Sequence, residues 1–122
     1  MKLTDESKRD MLSFVIRQVA FIADKECQKK VWIRCVGPEC YAYDDMCCDF
    51  FPTCDSVIED YKHFGVTENQ CVVLKKFRNE FEDFSDEYSD WPSEFINTPE
   101  WEEITEMAKE VLKAFNYRKP LR

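Results

Sequence analysis

Two glycines, Gly37 and Gly65, are the only ones in this chain of 122 residues. Strand-rich folds need many tight turns that favour glycine, and phosphate-binding loops need several glycines close together. Sustained period-2 alternation of apolar and polar residues is also absent, whereas apolar residues recur at steps of three and four. The sequence therefore predicts an all-α fold, a single compact domain of five or six helices over residues 1–122.

The first half of the chain predicts four helical stretches. Thr4 is a suitable N-cap for an amphipathic helix that runs to about Ile22, and Asp24 is one for a short helix over residues 25–34. A third stretch, over residues 42–50, is expected to break near residue 51, because Pro52 disfavours helical geometry at the residue before it. A fourth stretch, over residues 53–64, is expected to end at Gly65, a natural C-cap.

The second half predicts two longer helices. Residues 67–70 (TENQ) form a capping box, and the apolar stripe behind it extends a helix to about residue 87. A loop over residues 89–97 follows. Thr98 and Pro99 supply an N-cap and a proline at the first helical position of the last helix. Two amphipathic helices joined by a short loop pack their stripes together, which places four apolar residues in one core: Phe77, Phe81, Trp101 and Val111.

Charge limits the functions open to this chain. The formal net charge is -8, and contacts to phosphates need clustered Lys and Arg, so direct binding to nucleic acid or to an anionic membrane is not expected. The N-terminal residues lack the apolar segment of a secretory signal, and the apolar cluster over residues 11–23 is interrupted by polar side chains. We therefore expect a soluble protein of the cytoplasm.

Seven cysteines fit a reducing compartment. Their odd number and the absence of a Cys-x-x-Cys pair favour free thiols, most of them buried as small apolar side chains. Structural zinc and redox sensing remain open as alternatives. The sole histidine, His63, has no cysteine pair near it in sequence and is a poor candidate ligand.

The most unusual feature is an acidic stretch over residues 80–106. It holds eleven carboxylates and no Lys or Arg, and six aromatic residues are interspersed among them. Solvated acidic tails lack large aromatic side chains, so this stretch is expected to fold. Its carboxylates form either a solvated surface or a surface that binds a basic partner. The absence of the lysines that usually balance such carboxylates favours the partner-binding surface.

Helix–loop junctions combine rigid support with access to solvent, so the end of the fifth helix and the following loop are the predicted contact. Four carboxylates and a tyrosine lie at the end of the helix, and another carboxylate and a tryptophan follow in the loop. The sequence does not show whether the tyrosine is buried. The predicted partner-binding residues are Glu82, Asp83, Asp86, Glu87, Tyr88, Asp90 and Trp91. Tyr88 also continues the apolar stripe of its helix.

Paired carboxylates are also the raw material of metal sites and of acid–base catalysis. Glu82 with Asp83, and Asp86 with Glu87, supply such pairs one helical turn apart, and Asp44, Asp45 and Asp49 form another acidic turn. No Glu-x-x-His motif or EF-hand spacing accompanies them. No catalytic residue, metal ligand or cofactor is therefore predicted.

Four segments resemble a known family. They are residues 30–33 (KVWI), 69–84 (NQCVVLKKFRNEFEDF), 98–104 (TPEWEEI) and 108–112 (AKEVL). Together they are similar to small helical bacterial proteins that include the immunity proteins of contact-dependent growth inhibition systems, the CdiI type. The resemblance implies a cytoplasmic protein that binds a toxin domain delivered by a neighbouring cell, and many such toxins are nucleases that act on tRNA.

The acidic surface and the resemblance lead to the same functional prediction. We expect a non-catalytic immunity protein that neutralises a nuclease toxin by covering its basic active site. Two alternatives stay open: a helical adaptor or regulatory protein that binds another basic partner, and a carboxylate–metal enzyme. The oligomeric state does not follow from the sequence.

Overall fold

The fold is all-α, as predicted. The computed structural model describes residues 4–29, 43–87 and 95–117, and these residues contain no β-strand. The helices within them are α1 (Asp5–Ile22), α2 (Lys25–Gln28), α3 (Tyr43–Glu59), a 3₁₀ helix (Tyr61–Phe64), α4 (Glu68–Glu87) and α5 (Pro99–Ala114). The predicted continuation of the second helix to residue 34 and most of the predicted loop over residues 89–97 lie outside the described residues.

Side-chain caps begin four of the helices at the predicted residues. The cap of α4 is a reciprocal capping box, in which Thr67 Oγ1 accepts from the Gln70 amide at 3.1 Å and Gln70 Oε1 accepts from the Thr67 amide at 2.9 Å. The other caps use one side-chain oxygen each: Thr4 accepts from Ser7 N at 3.0 Å, Asp24 from Cys27 N at 3.2 Å, and Thr98 from Trp101 N at 3.2 Å. Local chemistry therefore fixes where these helices start.

The predicted break near Phe51 is wrong, because α3 continues through Pro52 to Glu59. Pro52 offers no N–H to the carbonyl of Cys48, but both residues are exposed, so water can reach that carbonyl. The buried residues Met46, Phe50 and Cys54 follow one another at steps of four across the proline. Their burial in the core holds the helix in register and outweighs the local cost of the proline.

Replacement of Pro52 by alanine is expected to stabilise the protein. Proline inside a helix costs about 3 kcal/mol relative to alanine. Proline also restricts the unfolded chain, which stabilises the folded state by up to about 1 kcal/mol. We expect the free energy of unfolding of Pro52→Ala to rise by about 1–2 kcal/mol in urea titrations followed by circular dichroism. A lower free energy of unfolding would show that the core requires the geometry that proline imposes.

The end of the predicted fourth helix also differs in detail. The α-helix stops at Glu59, and Tyr61–Phe64 forms a separate 3₁₀ turn that ends at Gly65. Gly65 has φ of 73°, the left-handed conformation that glycine adopts at low cost, so the predicted cap is confirmed. Val57 is buried, whereas Ile58 and Tyr61 are half-buried.

Helices α4 and α5 form the central antiparallel pair, and α1 packs against both α5 and α3. At one end of the pair, Gln70 Nε2 donates to the carbonyl of Ala114 at 3.1 Å. At the other end, the rings of Phe84 and Trp101 lie 5.1 Å apart. The predicted core is confirmed, because one hydrophobic cluster contains all four of its residues: Phe77, Phe81, Trp101 and Val111.

A buried glutamine ties three helices together. Gln28 is fully buried, and its Nε2 donates to the carbonyls of Phe21 at 2.9 Å and Ile22 at 2.7 Å. Its Oε1 accepts from Trp101 Nε1 at 2.9 Å. This one side chain therefore satisfies carbonyls at the end of α1 and the indole N–H of α5, and no local sequence pattern pointed to it.

Candidate partner-binding surface

Three of the predicted contact residues form an exposed acidic row at the end of α4. Asp83, Asp86 and Glu87 are all exposed, and they follow the buried Phe81 and flank the buried Phe84. None of the three makes an ion pair or side-chain hydrogen bond within the described part of the chain. The row is therefore a set of solvated carboxylates on a helix whose opposite side is fixed in the core.

Glu82, the fourth predicted carboxylate on α4, is engaged within the fold. Its Oε2 lies 2.5 Å from an Arg78 guanidinium nitrogen. The same guanidinium binds both carboxylate oxygens of Asp55, at 2.7 and 3.2 Å, and lies 5.4 Å from the centre of the Phe51 ring. Arg78 therefore joins α4 to α3, and its ion pair with Glu82 distinguishes this carboxylate from the acidic row.

The charge state of Arg78 follows from these contacts. Partial burial lowers the pKa of a guanidinium, but the hydrogen bonds and charges of Asp55 and Glu82 outweigh burial and raise the pKa of Arg78 above its ordinary value. Arg78 is thus a permanent cation that offsets the negative charge of its two partners. Within the described part of the chain, Asp83, Asp86 and Glu87 have no such cation.

The acidic row stands at the unfavourable end of its helix. The C-terminal end of a helix carries partial negative charge, and the last turn of α4 contains no basic residue. Each carboxylate there costs about 0.3–1 kcal/mol relative to a neutral side chain. By contrast, Glu100 and Glu102 lie in the first turn of α5, where the dipole stabilises them. Helix stability thus accounts for Glu100 and Glu102 at the start of α5 and not for the acidic row at the end of α4.

These two helix ends lie at the same end of the molecule, which we call the acidic end. The Phe84–Trp101 contact brings the last turns of α4 to the first turn of α5. The last residues of α1 reach the same end, because Gln28 links the Ile22 carbonyl to Trp101. Since α1 is about 27 Å long, its acidic first turn, with Asp5 and Glu6, lies far from the acidic row.

The remaining predicted contact residues, Tyr88, Asp90 and Trp91, lie outside the described residues. Asp49 of the second acidic turn is exposed, and the side chains of Asp44 and Asp45 are not among those described. Among the side chains that the structure describes, no group of three or more His, Cys, Asp and Glu is close enough to hold a metal ion.

The described cysteines are free thiols: Cys27, Cys47, Cys48, Cys54 and Cys71. Cys48 is exposed, whereas Cys54 is fully buried in the core. Burial raises the pKa of the Cys54 thiol to about 12, and the neighbouring Asp55 carboxylate adds to the shift. The thiolate of Cys54 is therefore scarce at neutral pH.

Alkylation should separate these two thiols. In the native protein at pH 8 we expect iodoacetamide to modify Cys48 at least ~100-fold faster than Cys54, because the reactive form is an accessible thiolate. Peptide mass spectrometry at quenched time points measures both rates. In denaturant the two rates should converge, which is the control for sequence context. Equal rates in the native protein would show that α3 opens readily.

Comparisons of this chain with protein-family models, with curated proteins and with solved structures find no match. None of the helices in the described ranges has the length and apolar character needed to cross a membrane.

Proposed function

We propose that this protein is a cytoplasmic immunity protein that binds a nuclease toxin domain through the acidic row and covers its basic active site. The observation that carries the proposal is the set of exposed carboxylates Asp83, Asp86 and Glu87. None of them pairs with a cation of the described residues, and all three oppose the dipole of their own helix. A basic partner that neutralises these carboxylates would remove their unfavourable interaction with the helix dipole. Binding of such a partner is therefore more favourable.

A nuclease offers the matching surface. Its active site must hold phosphates and is therefore rich in Lys and Arg. Carboxylates on a rigid helix can take the places of phosphates, and complementary charge speeds association. The row is well supported for this role, because the adjacent Phe81 and Phe84 pack against Trp101, with ring centres 6.1 and 5.1 Å away. Inhibition of this kind is occlusion and needs no catalytic group.

Co-expression provides the test of function. The product of the gene adjacent to that of this chain, tested as the toxin, is produced in a host cell with and without the chain. We expect growth to be restored by the chain, and a one-to-one complex to be recovered by size-exclusion chromatography. The purified toxin should cleave tRNA, and the chain should stop the cleavage.

Other outcomes would overturn the proposal. Failure of the chain to bind or inhibit that toxin would exclude the immunity function. Stable binding to a basic protein without nuclease activity would instead identify a helical adaptor.

A further inference from the structure

An exposed apolar side chain stands on the outer face of α4. Val72 is 60% exposed, and among the side chains that the structure describes it is the only large apolar one classed as exposed. The core-facing side of the same helix is fully buried at Leu74 and Phe77, so Val72 lies on the side away from the core. Apolar surface left in water favours any contact that covers it.

Four exposed polar residues surround Val72 on this face. Glu68 and Asn69 precede it by four and three residues, and Lys75 and Lys76 follow it by three and four, so all four are its neighbours on the helix surface. Glu68 and the two lysines have no ion pair with any residue that the structure describes. Hydrogen-bond acceptors therefore lie on the N-terminal side of Val72, and cations lie on its C-terminal side.

We propose that this face binds a second copy of the chain, with the two α4 helices antiparallel and Val72 on the two-fold axis. Residues that precede Val72 by three or four positions then face residues that follow it by three or four positions in the other copy. Glu68 pairs with Lys75, and the side-chain oxygen of Asn69 accepts from Lys76. Each of these contacts occurs twice, because a two-fold contact uses the same patch on both copies.

The order of the charges selects this orientation. Parallel helices would place Glu68 beside Glu68 and the lysines beside the lysines, and like charges at this spacing repel. Antiparallel helices place opposite charges together and also oppose the two helix dipoles. The methylene groups of Lys75 and Lys76 can cover the two Val72 side chains while the ammonium groups stay in water. The face is therefore complementary to itself, which makes a second copy its occupant.

The contact is small, so the dimer is transient. One helix face is well below the usual interface of about 1,600 Å², and exposed ion pairs contribute little each. We expect Kd of about 0.1–1 mM. Each copy carries a net charge of -8, which opposes association at low salt. At about 0.15 M salt this long-range repulsion is screened beyond about 8 Å, and the close contacts remain.

The contact does not use the acidic row. Asp83 and Glu87 lie 11 and 15 positions after Val72, or about 17–22 Å along α4. They extend past the first residue of the other copy's helix. The inference therefore does not rest on the proposed function, and its tests use this chain alone.

Sedimentation equilibrium of the full chain measures the dimer. The protein is examined from about 10 µM to 1 mM in about 0.15 M salt. A reducing agent prevents cross-linking through the exposed Cys48. We expect a reversible monomer–dimer equilibrium, and we expect the NMR amide shifts that change on dilution to centre on residues 68–76.

Variants of the central residue test its place on the axis. Val72→Glu brings two carboxylates together there and should weaken the dimer at least ~10-fold. Val72→Leu adds apolar surface and should strengthen it. Position 72 is exposed, so neither change should disturb the fold, and circular dichroism checks this.

Charge reversal tests the antiparallel pairing. Glu68→Lys alone opposes lysine to lysine, and Lys75→Glu alone opposes glutamate to glutamate, at both contacts of a dimer. Each variant should therefore dimerise at least ~10-fold more weakly than the parent. An equimolar mixture of the two variants restores an opposite-charge pair at both contacts and should associate within ~3-fold of the parent. Lys25→Glu, the same charge change on α2, should leave the dimer unchanged.

Two kinds of result would overturn the inference. One is a protein that stays monomeric up to about 1 mM. The other is a dimer that Val72→Glu and the single charge reversals do not weaken, or that the mixture of the two variants does not restore. A failed toxin test would leave this inference intact, and a monomeric protein would leave the proposed function intact.

Discussion

Replacement of Trp101 by alanine is expected to lower the free energy of unfolding by about 3–5 kcal/mol, a large part of the stability of a small domain. Trp101 is 1% exposed, and its ring packs against Phe81, Phe84 and Phe95 with centre distances of 6.1, 5.1 and 4.9 Å. The substitution removes this packing and leaves a cavity where α1, α2, α4 and α5 meet. Urea unfolding followed by circular dichroism measures the loss.

A second variant separates packing from hydrogen bonding. Trp101→Phe keeps an aromatic ring but leaves the buried Gln28 Oε1 without its donor, which should cost about 1–3 kcal/mol. Gln28→Leu in the same background should then cost less than in the parent protein, because the two changes remove one interaction. A loss below about 1 kcal/mol for Trp101→Ala would show that this ring is not a core element.

The sequence predicted most helices well because the signals are local. The Thr67–Gln70 capping box and the Thr98 cap act over three residues, and an apolar stripe at helical spacing is visible in any window of the chain. Pro52 misled the prediction for the same reason. Its local preference against helix is real, but burial of Phe50 and Cys54 on either side outweighs it, and that burial depends on distant parts of the chain.

Gln28 shows what sequence patterns cannot reveal. Its three hydrogen bonds reach carbonyls six and seven residues away and an indole N–H seventy-three residues away. A single glutamine in a polar stretch looks like a surface residue, and only the packing of α5 against α1 makes it a buried link. Its role follows from tertiary structure alone.

The candidate surface was partly predictable. Segregation of charge in the chain indicated the acidic stretch, and the predicted helix–loop junction included Asp83, Asp86 and Glu87 among the contact residues. The pairing of Arg78 with Asp55 and Glu82 was not predictable, because it requires the contact between α3 and α4. That pairing distinguishes Glu82 from Asp83, Asp86 and Glu87, which have no ion pair with any residue that the structure describes.

Neutralisation of the acidic row is expected to weaken partner binding by about 100-fold, or about 2.7 kcal/mol. The variant combines Asp83→Asn, Asp86→Asn and Glu87→Gln, which keep the size and polarity of the side chains. The same change should raise the free energy of unfolding by up to about 2 kcal/mol, since it removes like charges from the negative end of α4. A loss of binding together with a gain in stability would be difficult to explain by unfolding.

A matched control variant removes the same amount of charge elsewhere. Asp5→Asn, Glu6→Gln and Asp10→Asn neutralise three exposed carboxylates on the first turns of α1, far from the acidic end. This control should bind the partner within about 3-fold of the parent, because distant exposed charges are screened at physiological salt. It should be slightly less stable, because Asp5 and Glu6 complement the dipole of α1.

The most direct test of the central claim is the association rate of this protein with its toxin as a function of salt concentration, measured by stopped-flow mixing. For the parent and the α1 control, we expect the rate to fall steeply as salt rises from about 0.05 to 0.5 M. For the acidic-row variant, we expect a slower rate with a much flatter salt dependence. Equal rates and equal salt dependence in all three proteins would contradict the claim that the acidic row binds the toxin.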